Sequence, residues 1–434
     1  MAEASAKNLL KNLEKSGIAD EEALRSSLKA LSKKYQGEKV GSEELAAHLI
    51  ESGIITKWHA DKLLAGKYKG FFLDKYKLLG HLGSGGMSSV YLAESKSTGQ
   101  KRAIKVLPKS KVSDKSYLDR FYREGRAAAS LNHPNIVRVY DINNAGDTHY
   151  MVMEYVKGSD LYDTVRDNGP LPIEEAITAV TECCEGLLHA HDKGMVHRDI
   201  KPANLLRTVS GNVKILDLGL ALFNIEGEES LTVMHNEKVM GTADYLSPEQ
   251  AVNSHDVDHR ADIYSLGCTL YFLLTGRPPF NKGTLAQRIA MHQTKEPDSI
   301  LESREDCPAG LIEICNRMIH KKPAERYGNC REVVTALEQF LETGETTSGA
   351  AGLENSVTNA SETPPLESVG PISEFAIDRS SGSGPINVGP QIVRVPKIKA
   401  KEPERLPAWL IPSLIVLLAI GLIGGLLIIS MLVG

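Results

Sequence analysis

Two stretches of the sequence combine residue types that can do chemistry at a fixed spacing. His197-Arg198-Asp199-Ile200-Lys201-Pro202-Ala203-Asn204 follows a helical run and precedes the apolar Leu205-Leu206. Asp217-Leu218-Gly219 comes further along, at the end of the strand-like Val213-Lys214-Ile215-Leu216. Phosphoryl transfer from ATP asks little covalent chemistry of a protein. It needs an oriented hydroxyl nucleophile, held metal ions and neutralised charge. Asp199 can accept the hydroxyl proton, and Asn204 and Asp217 can hold Mg2+ or Mn2+. Lys201 can neutralise the γ-phosphate.

Two weaker signals lie upstream. Leu82-Gly83-Ser84-Gly85-Gly86-Met87-Ser88-Ser89-Val90-Tyr91 sits between strand-like runs. Glycines there let backbone N–H groups approach phosphate oxygens without a Cβ in the way. Taken alone, the run equally suits a tight hairpin. It is not a P-loop, because no Gly-Lys-Ser/Thr follows, and a dinucleotide fingerprint needs a helix where Val90-Tyr91-Leu92 reads as strand. Lys105, in Ala103-Ile104-Lys105, comes 22 residues after Gly83 on the strand-like run Arg102–Leu107. A lysine in an apolar strand is costly unless its ammonium meets an anion. Phosphates would serve, as would Glu124 in the helical Arg120-Phe121-Tyr122-Arg123-Glu124-Gly125-Arg126. A lone lysine of this kind is also readable as a solvated edge-strand side chain. Agreement of residue types and spacing at four places favours the chemical reading.

The elements that must position these groups form one large folded unit from Tyr76 to about Leu341. It opens with strand-like runs at Tyr76–His81, Ser89–Glu94 and Arg102–Leu107, then becomes mainly helical. This pattern, with the motifs it carries, resembles the eukaryotic-type (Hanks-type) protein kinases. The resemblance implies an α+β bilobal protein kinase fold, a small β-rich lobe over a helical one, across residues 76–342. It also implies ATP as phosphate donor. Met153 is then the gatekeeper, Glu154-Tyr155-Val156 the hinge that meets adenine, and Val90, Ala103 and Leu206 the walls around the base. Asp160 reaches the ribose. Glu249, in Ser247-Pro248-Glu249, pairs with Arg326, and Asp262 braces the catalytic-loop backbone.

Substrate class is implied in the same way. Lys201 two residues after Asp199, and Gly241-Thr242 ahead of Ser-Pro-Glu, resemble the serine/threonine pattern, so the substrates are protein Ser/Thr hydroxyls. Gly-Gly-Met, Asn132-His133-Pro134-Asn135-Ile136-Val137 and Pro-Glu-Gln look most like bacterial members. The whole layout resembles membrane-bound bacterial kinases of planctomycete type. Ser88 in place of the third glycine and Leu218 in place of the middle Phe of Asp-Phe-Gly depart from the pattern, but neither removes a charge that transfer needs. Two other classes compete: a nucleotide-binding pseudokinase scaffold at the membrane, and a small-molecule kinase of the same fold. The five residues Lys105, Glu124, Asp199, Asn204 and Asp217 speak against the first, and the intact segment through Ser247-Pro248-Glu249 against the second.

Outside this unit the composition changes. Residues 1–70 read as a helical N-terminal extension, with Leu9, Leu10 and Leu13 on one face and Leu24, Leu28 and Leu31 on another. Ser16-Gly17-Ile18 recurs as Ser52-Gly53-Ile54, which fits either a twofold helical repeat or a plain small bundle. Residues 343–407 read as a disordered linker: more than half of the stretch 343–390 is Pro, Gly, Ser or Thr. Its end is basic, with Arg394, Lys397, Lys399, Lys401 and Arg405. No charge falls anywhere from Leu406 to Gly434. Residues 408–433 are therefore expected to be a single transmembrane helix, in contact with the lipid bilayer of the cell membrane. The basic flank puts the kinase on the cytoplasmic side. Gly421 and Gly425 form a Gly-x-x-x-Gly pair that permits a homodimer. No secretory signal is expected at the N-terminus, and no extracellular sensor.

Composition excludes several other classes. Lys+Arg 50 against Asp+Glu 55, a formal net charge of −5, argues against a generally basic nucleic-acid binder. At 6% aromatic residues, stacking on single strands is disfavoured as well. Six cysteines, Cys183 and Cys184 adjacent and the other four scattered, without C-x-x-C, predict neither a disulfide scaffold nor a zinc site.

Overall fold

The computed structural model describes residues 5–36, 39–84, 88–217, 243–252 and 257–343. The first four helices are α1 (Ala6–Ser16), α2 (Glu21–Lys34), α3 (Ser42–Glu51) and α4 (Lys57–Leu64). They form two helical pairs of the same design. Gly17 and Gly53, the glycines of the two Ser-Gly-Ile matches, adopt φ of 64° and 71° after α1 and α3. A left-handed residue past a helix end favours glycine, which has no Cβ to clash. Asp20 and Thr56, each three residues beyond its glycine, then cap α2 and α4 with their side chains. Leu9, Leu13, Leu24, Leu31, Leu45, Leu49 and Leu63 meet in one core, which Phe71 completes. Leu10 and Leu28 pack at its margin.

Next comes a six-stranded antiparallel sheet. Its strands are β1 (Phe72–Leu73), β2 (Tyr76–Ser84), β3 (Ser89–Ser95), β4 (Lys101–Val106), β5 (Val139–Ala145) and β6 (Thr148–Glu154), in the order β1-β2-β3-β4-β6-β5. Alternation along β4 and β6 separates two faces. Ala103, Met151 and Met153 face inward, where α6 (Lys115–Ala129) packs through Phe121. Ile104, Tyr150 and Val152 face outward with Tyr76, Leu78 and Ala93. The Trp58 ring of α4 packs on that outer cluster, so the extension covers the face away from the cleft.

The lower lobe is helical. Its core joins α8 (Ile173–His191), α10 (Arg260–Thr275), α12 (Ala309–Met318) and α13 (Cys330–Thr343), with α10 buried along almost its whole length. Pro248–Val252 (α9), Leu285–Thr294 (α11) and Leu161–Asn168 (α7) lie around it, with the short α5 (Lys109–Val112) in the upper lobe. A second sheet, β7 (Gly158–Asp160), β8 (Leu205–Thr208) and β9 (Val213–Ile215), lies between the lobes. All six cysteines are free and buried. Among the described residues no helix is long and apolar enough to cross a membrane. The expected span at 408–433 and linker beyond Thr343 lie outside the described residues.

Candidate active site

The segment between α8 and β8 has little regular structure, so its backbone must be held by side chains. Asp262, fully buried near the start of α10, does this. Its Oδ2 accepts from the His197 backbone N–H at 2.8 Å and its Oδ1 from that of Arg198 at 2.7 Å. His191 Nε2 adds a third bond to Oδ2, at 2.8 Å. Burial alone pushes a carboxyl up, but His191 and these donors overcome it and hold Asp262 below its usual value. The chain can therefore pass through Arg198 at φ 65°, where a side chain is strained. Gln250 Nε2 donates to the Arg198 carbonyl at 2.8 Å and closes the segment from the other side.

Asp199 is thereby placed among donors. Lys201 Nζ lies 2.9 Å from both of its carboxylate oxygens. Asn204 Nδ2 donates to its carbonyl at 2.8 Å and to Oδ2 at 2.9 Å. The Asn204 amide nitrogen is engaged on Asp199, which leaves the amide oxygen as a ligand donor. Asn204 also binds the next segment: its carbonyl accepts from Leu216 N–H at 2.8 Å. His197 uses both ring nitrogens, Nδ1 accepting from Asp199 N–H at 3.2 Å and Nε2 donating to Leu216 carbonyl at 2.9 Å. The two motifs, separate in sequence, are thus joined through the backbone of Leu216.

Asp217 follows directly, at φ 41°. Its Oδ1 accepts from Lys105 Nζ at 2.8 Å. Burial works against the Lys105 ammonium, yet the Asp217 carboxylate outweighs it and raises its pKa above the ordinary value. The same pairing lowers Asp217 against its own burial. Glu124, the carboxylate that the sequence offers as a partner for Lys105, makes no ion pair with it. Burial raises Glu124 to about 7, and the positive charge of Lys105 only moderates that. Asn204 and Asp217 supply hard oxygen donors, the type that Mg2+ or Mn2+ takes alongside phosphate and water. Among the described residues no three His, Cys, Asp or Glu side chains form a metal cluster by themselves.

Above these groups, Val90, Ala103, Met153, Val156, Leu206 and Leu216 share one apolar cluster with Phe121 of α6. Glu154 ends β6, and its side chain pairs with Lys214 at 3.0 Å. Asp160 caps α7, accepting from Asp163 N–H at 2.8 Å. Leu82, Gly83 and Ser84 close β2, Ser88 is buried, and Ser89 opens β3 opposite Ser84. Gly85, Gly86 and Met87 lie outside the described residues, as do Leu218, Gly219, Ser230, Thr232, Gly241 and Thr242. The expected Glu249–Arg326 pair is present and bidentate, at 2.7 and 2.8 Å. His191 was not visible in the sequence as part of this assembly; its signal is a histidine at the end of the helix that leads into the motif.

The protein kinase domain family matches residues 76–338, more than half of the chain. This chain belongs to the protein kinase family. Among curated relatives, the serine/threonine-protein kinase PknB of Mycobacterium leprae is 40% identical over 264 residues, covering 60% of this chain and 42% of that one. PrkC of Bacillus subtilis, also a serine/threonine-protein kinase, is 39% identical over 260 residues, covering 60% of this chain and 39% of its own length. This kinase therefore matches less than half the length of those relatives. A double mutant of the Mycobacterium tuberculosis PknI kinase domain is a similar solved structure, with TM-score 0.50 and 28% identity over 62% of this chain and 97% of that one.

Proposed function

We propose that this kinase is a membrane-anchored serine/threonine protein kinase that transfers the γ-phosphate of ATP to protein hydroxyls, its own activation loop included. One observation carries the reading: Lys201 and Asn204 both bind the Asp199 carboxylate, while Lys105 and Asp217 are joined 2.8 Å apart. Asp199 accepts the proton of the substrate hydroxyl as that oxygen attacks phosphorus. Lys201, within reach of the same carboxylate, offsets charge on the transferred phosphoryl group. Asn204 and Asp217 would hold Mg2+ or Mn2+, which when bound neutralises the phosphate oxygens. Lys105, released from Asp217 and attracted by Glu124, would meet the phosphates further from the reacting centre. Leu82 to Val90 would cover them, and Ala103, Glu154, Val156 and Leu206 would hold the adenine.

Serine and threonine as acceptors rest on Lys201 two residues beyond Asp199 and on the names of the relatives. The membrane anchor, the cytoplasmic orientation and a homodimer rest on residues 391–434 of the sequence alone. The test is phosphorylation of a generic Ser/Thr protein substrate by the full chain with Lys105→Met or Asp199→Asn. Each loses about 10²-fold or more, since each removes a charge that acts in the transition state, while circular dichroism stays that of wild type. Activity within about threefold of wild type in either variant overturns the assignment.

A further inference from the structure

The strand that leads into the glycine-rich loop is held from outside the kinase domain. In the β2–β3 ladder, Leu78 faces Ala93, but Gly80 faces Leu92, so the register slips at Leu79. A slip of this kind bends and twists the strand. The carbonyls of Leu78 and Leu79, at the slip, are both taken by α4 and its cap. Thr56 Oγ1 donates to the Leu79 carbonyl at 2.6 Å, and His59 Nε2 donates to that of Leu78 at 2.6 Å. The two side chains also lock each other. His59 N–H donates to Thr56 Oγ1 at 3.2 Å, and Thr56 N–H donates to His59 Nδ1 at 3.2 Å. His59 is buried, so both its ring nitrogens are used with none left for water.

Two further contacts bind the same stretch. Lys77 Nζ donates to the carbonyl of Ile18, between α1 and α2, at 2.6 Å. The Trp58 ring meets Tyr91 edge-on at 6.1 Å, and Tyr91 meets His81 at 5.2 Å across the strand pair. His81 stands two residues before Gly83, and Tyr91 follows Val90 of the adenine wall. Both helical pairs of the extension therefore grip β2 or β3 within a few residues of the loop. A bare packing domain would need only the apolar contacts. Here the buried His59 and the half-buried Thr56 and Lys77 are each matched with a backbone carbonyl, and a buried polar group is costly to leave unmet.

We infer that the α1–α4 extension positions the nucleotide: by holding the slip in β2 through Thr56 and His59, it sets the direction in which Gly83 and Ser84 enter the phosphate-covering loop. Thr56 and His59 are positioning residues and touch no substrate. The inference rests on the kinase reading above. It makes extension docking and nucleotide binding energetically coupled, and such coupling is reciprocal.

The test uses the full chain in its membrane or in detergent. Thr56→Val with His59→Phe should raise KM for ATP about five- to tenfold, with kcat at saturating ATP within about twofold and KM for the protein substrate unchanged. Thr56→Ser, which keeps the hydroxyl, should restore KM in the His59 wild-type background, where Thr56→Val alone gives an intermediate value. Lower melting temperature with unchanged KM for ATP means a purely structural contact and overturns the inference. If the double variant does not fold, Thr56→Val alone and the reciprocal measurement decide. Mg·ATP should slow hydrogen exchange in the peptide spanning residues 54–64 of the wild-type chain, and no slowing overturns the coupling. A wild-type chain with no kinase activity defeats the kinase reading instead, which separates the two failures.

Discussion

Lys105 Nζ is paired with Asp217 Oδ1 at 2.8 Å, and Glu124, on the helix that packs beneath the sheet, is left out of that pair. The ammonium is satisfied by the carboxylate that would otherwise hold a metal ion. Binding of Mg·ATP would then exchange partners: Asp217 would be free to hold the cation, and Lys105 would meet phosphate and Glu124. Glu124 helps only when it is charged, and burial has raised it to about 7. An acid raised in this way is neutral below that pH and ionised above it. The kcat/KM for ATP should accordingly rise with pH through about 7. Glu124→Gln should remove the rise and lower activity most on the alkaline side. A pH–rate profile checks this, and the same rise in Glu124→Gln would refute it.

The catalytic-loop brace makes a second prediction, for stability. Burial lowers the His191 pKa, but the bond to the Asp262 carboxylate overcomes it and brings the group up to about 9. Its folded value therefore lies above its unfolded one, so the imidazolium stabilises the fold fully below about pH 6.5. That contribution fades as pH rises through about 9. His191→Gln should cost roughly 1–3 kcal/mol at about pH 6 and much less at about pH 9.5. Urea unfolding at the two pH values measures the difference. An equal cost at both would mean that the histidine acts by packing and not by charge.

The legibility of this kinase in its sequence divides along physical lines. Asp199, Lys201 and Asn204 lie within one short segment, and that proximity survives folding almost unchanged. Glu249 with Arg326 and the brace at Asp262 followed from resemblance, and both contacts are present. The partner of Lys105 was not legible. Two carboxylates from distant segments compete for it, and small differences in distance decide between them. The apolar spacing of Leu9, Leu13, Leu24 and Leu31 showed helices with a shared core. Where the extension attaches was hidden, because it depends on a one-residue slip in β2 that leaves no mark on the side-chain pattern.

Loop phosphorylation is the third expectation, and it concerns Ser230 and Thr232, outside the described residues. Arg198 precedes Asp199 directly, and its backbone is pinned by Asp262 and Gln250. A phosphate on the loop can pair with such an arginine and order the segment. Mass spectrometry of active enzyme should find phosphate at one or both hydroxyls. Ser230→Ala with Thr232→Ala should lower activity about tenfold or more, by loss of that ordering. An unmodified loop with full activity refutes it.

The last prediction joins the anchor to that event. If residues 408–433 cross the bilayer, confinement to two dimensions raises the concentration at which one kinase meets its neighbour's loop. Gly421 and Gly425 would let two such helices approach closely, since small residues four apart remove the bulk between backbones. Deleting 406–434 should then slow loop autophosphorylation at cellular concentration. Catalysis by enzyme phosphorylated beforehand should not change, because Asp199, Lys201 and Asn204 are untouched by the deletion. Gly421→Ile with Gly425→Ile separates the two contributions: the protein should stay in the membrane fraction while autophosphorylation slows. Reconstitution at matched surface density, with phosphorylation followed over time, gives the comparison directly. If the double variant proceeds at the wild-type rate, close helix approach plays no part and membrane confinement alone raises the encounter rate.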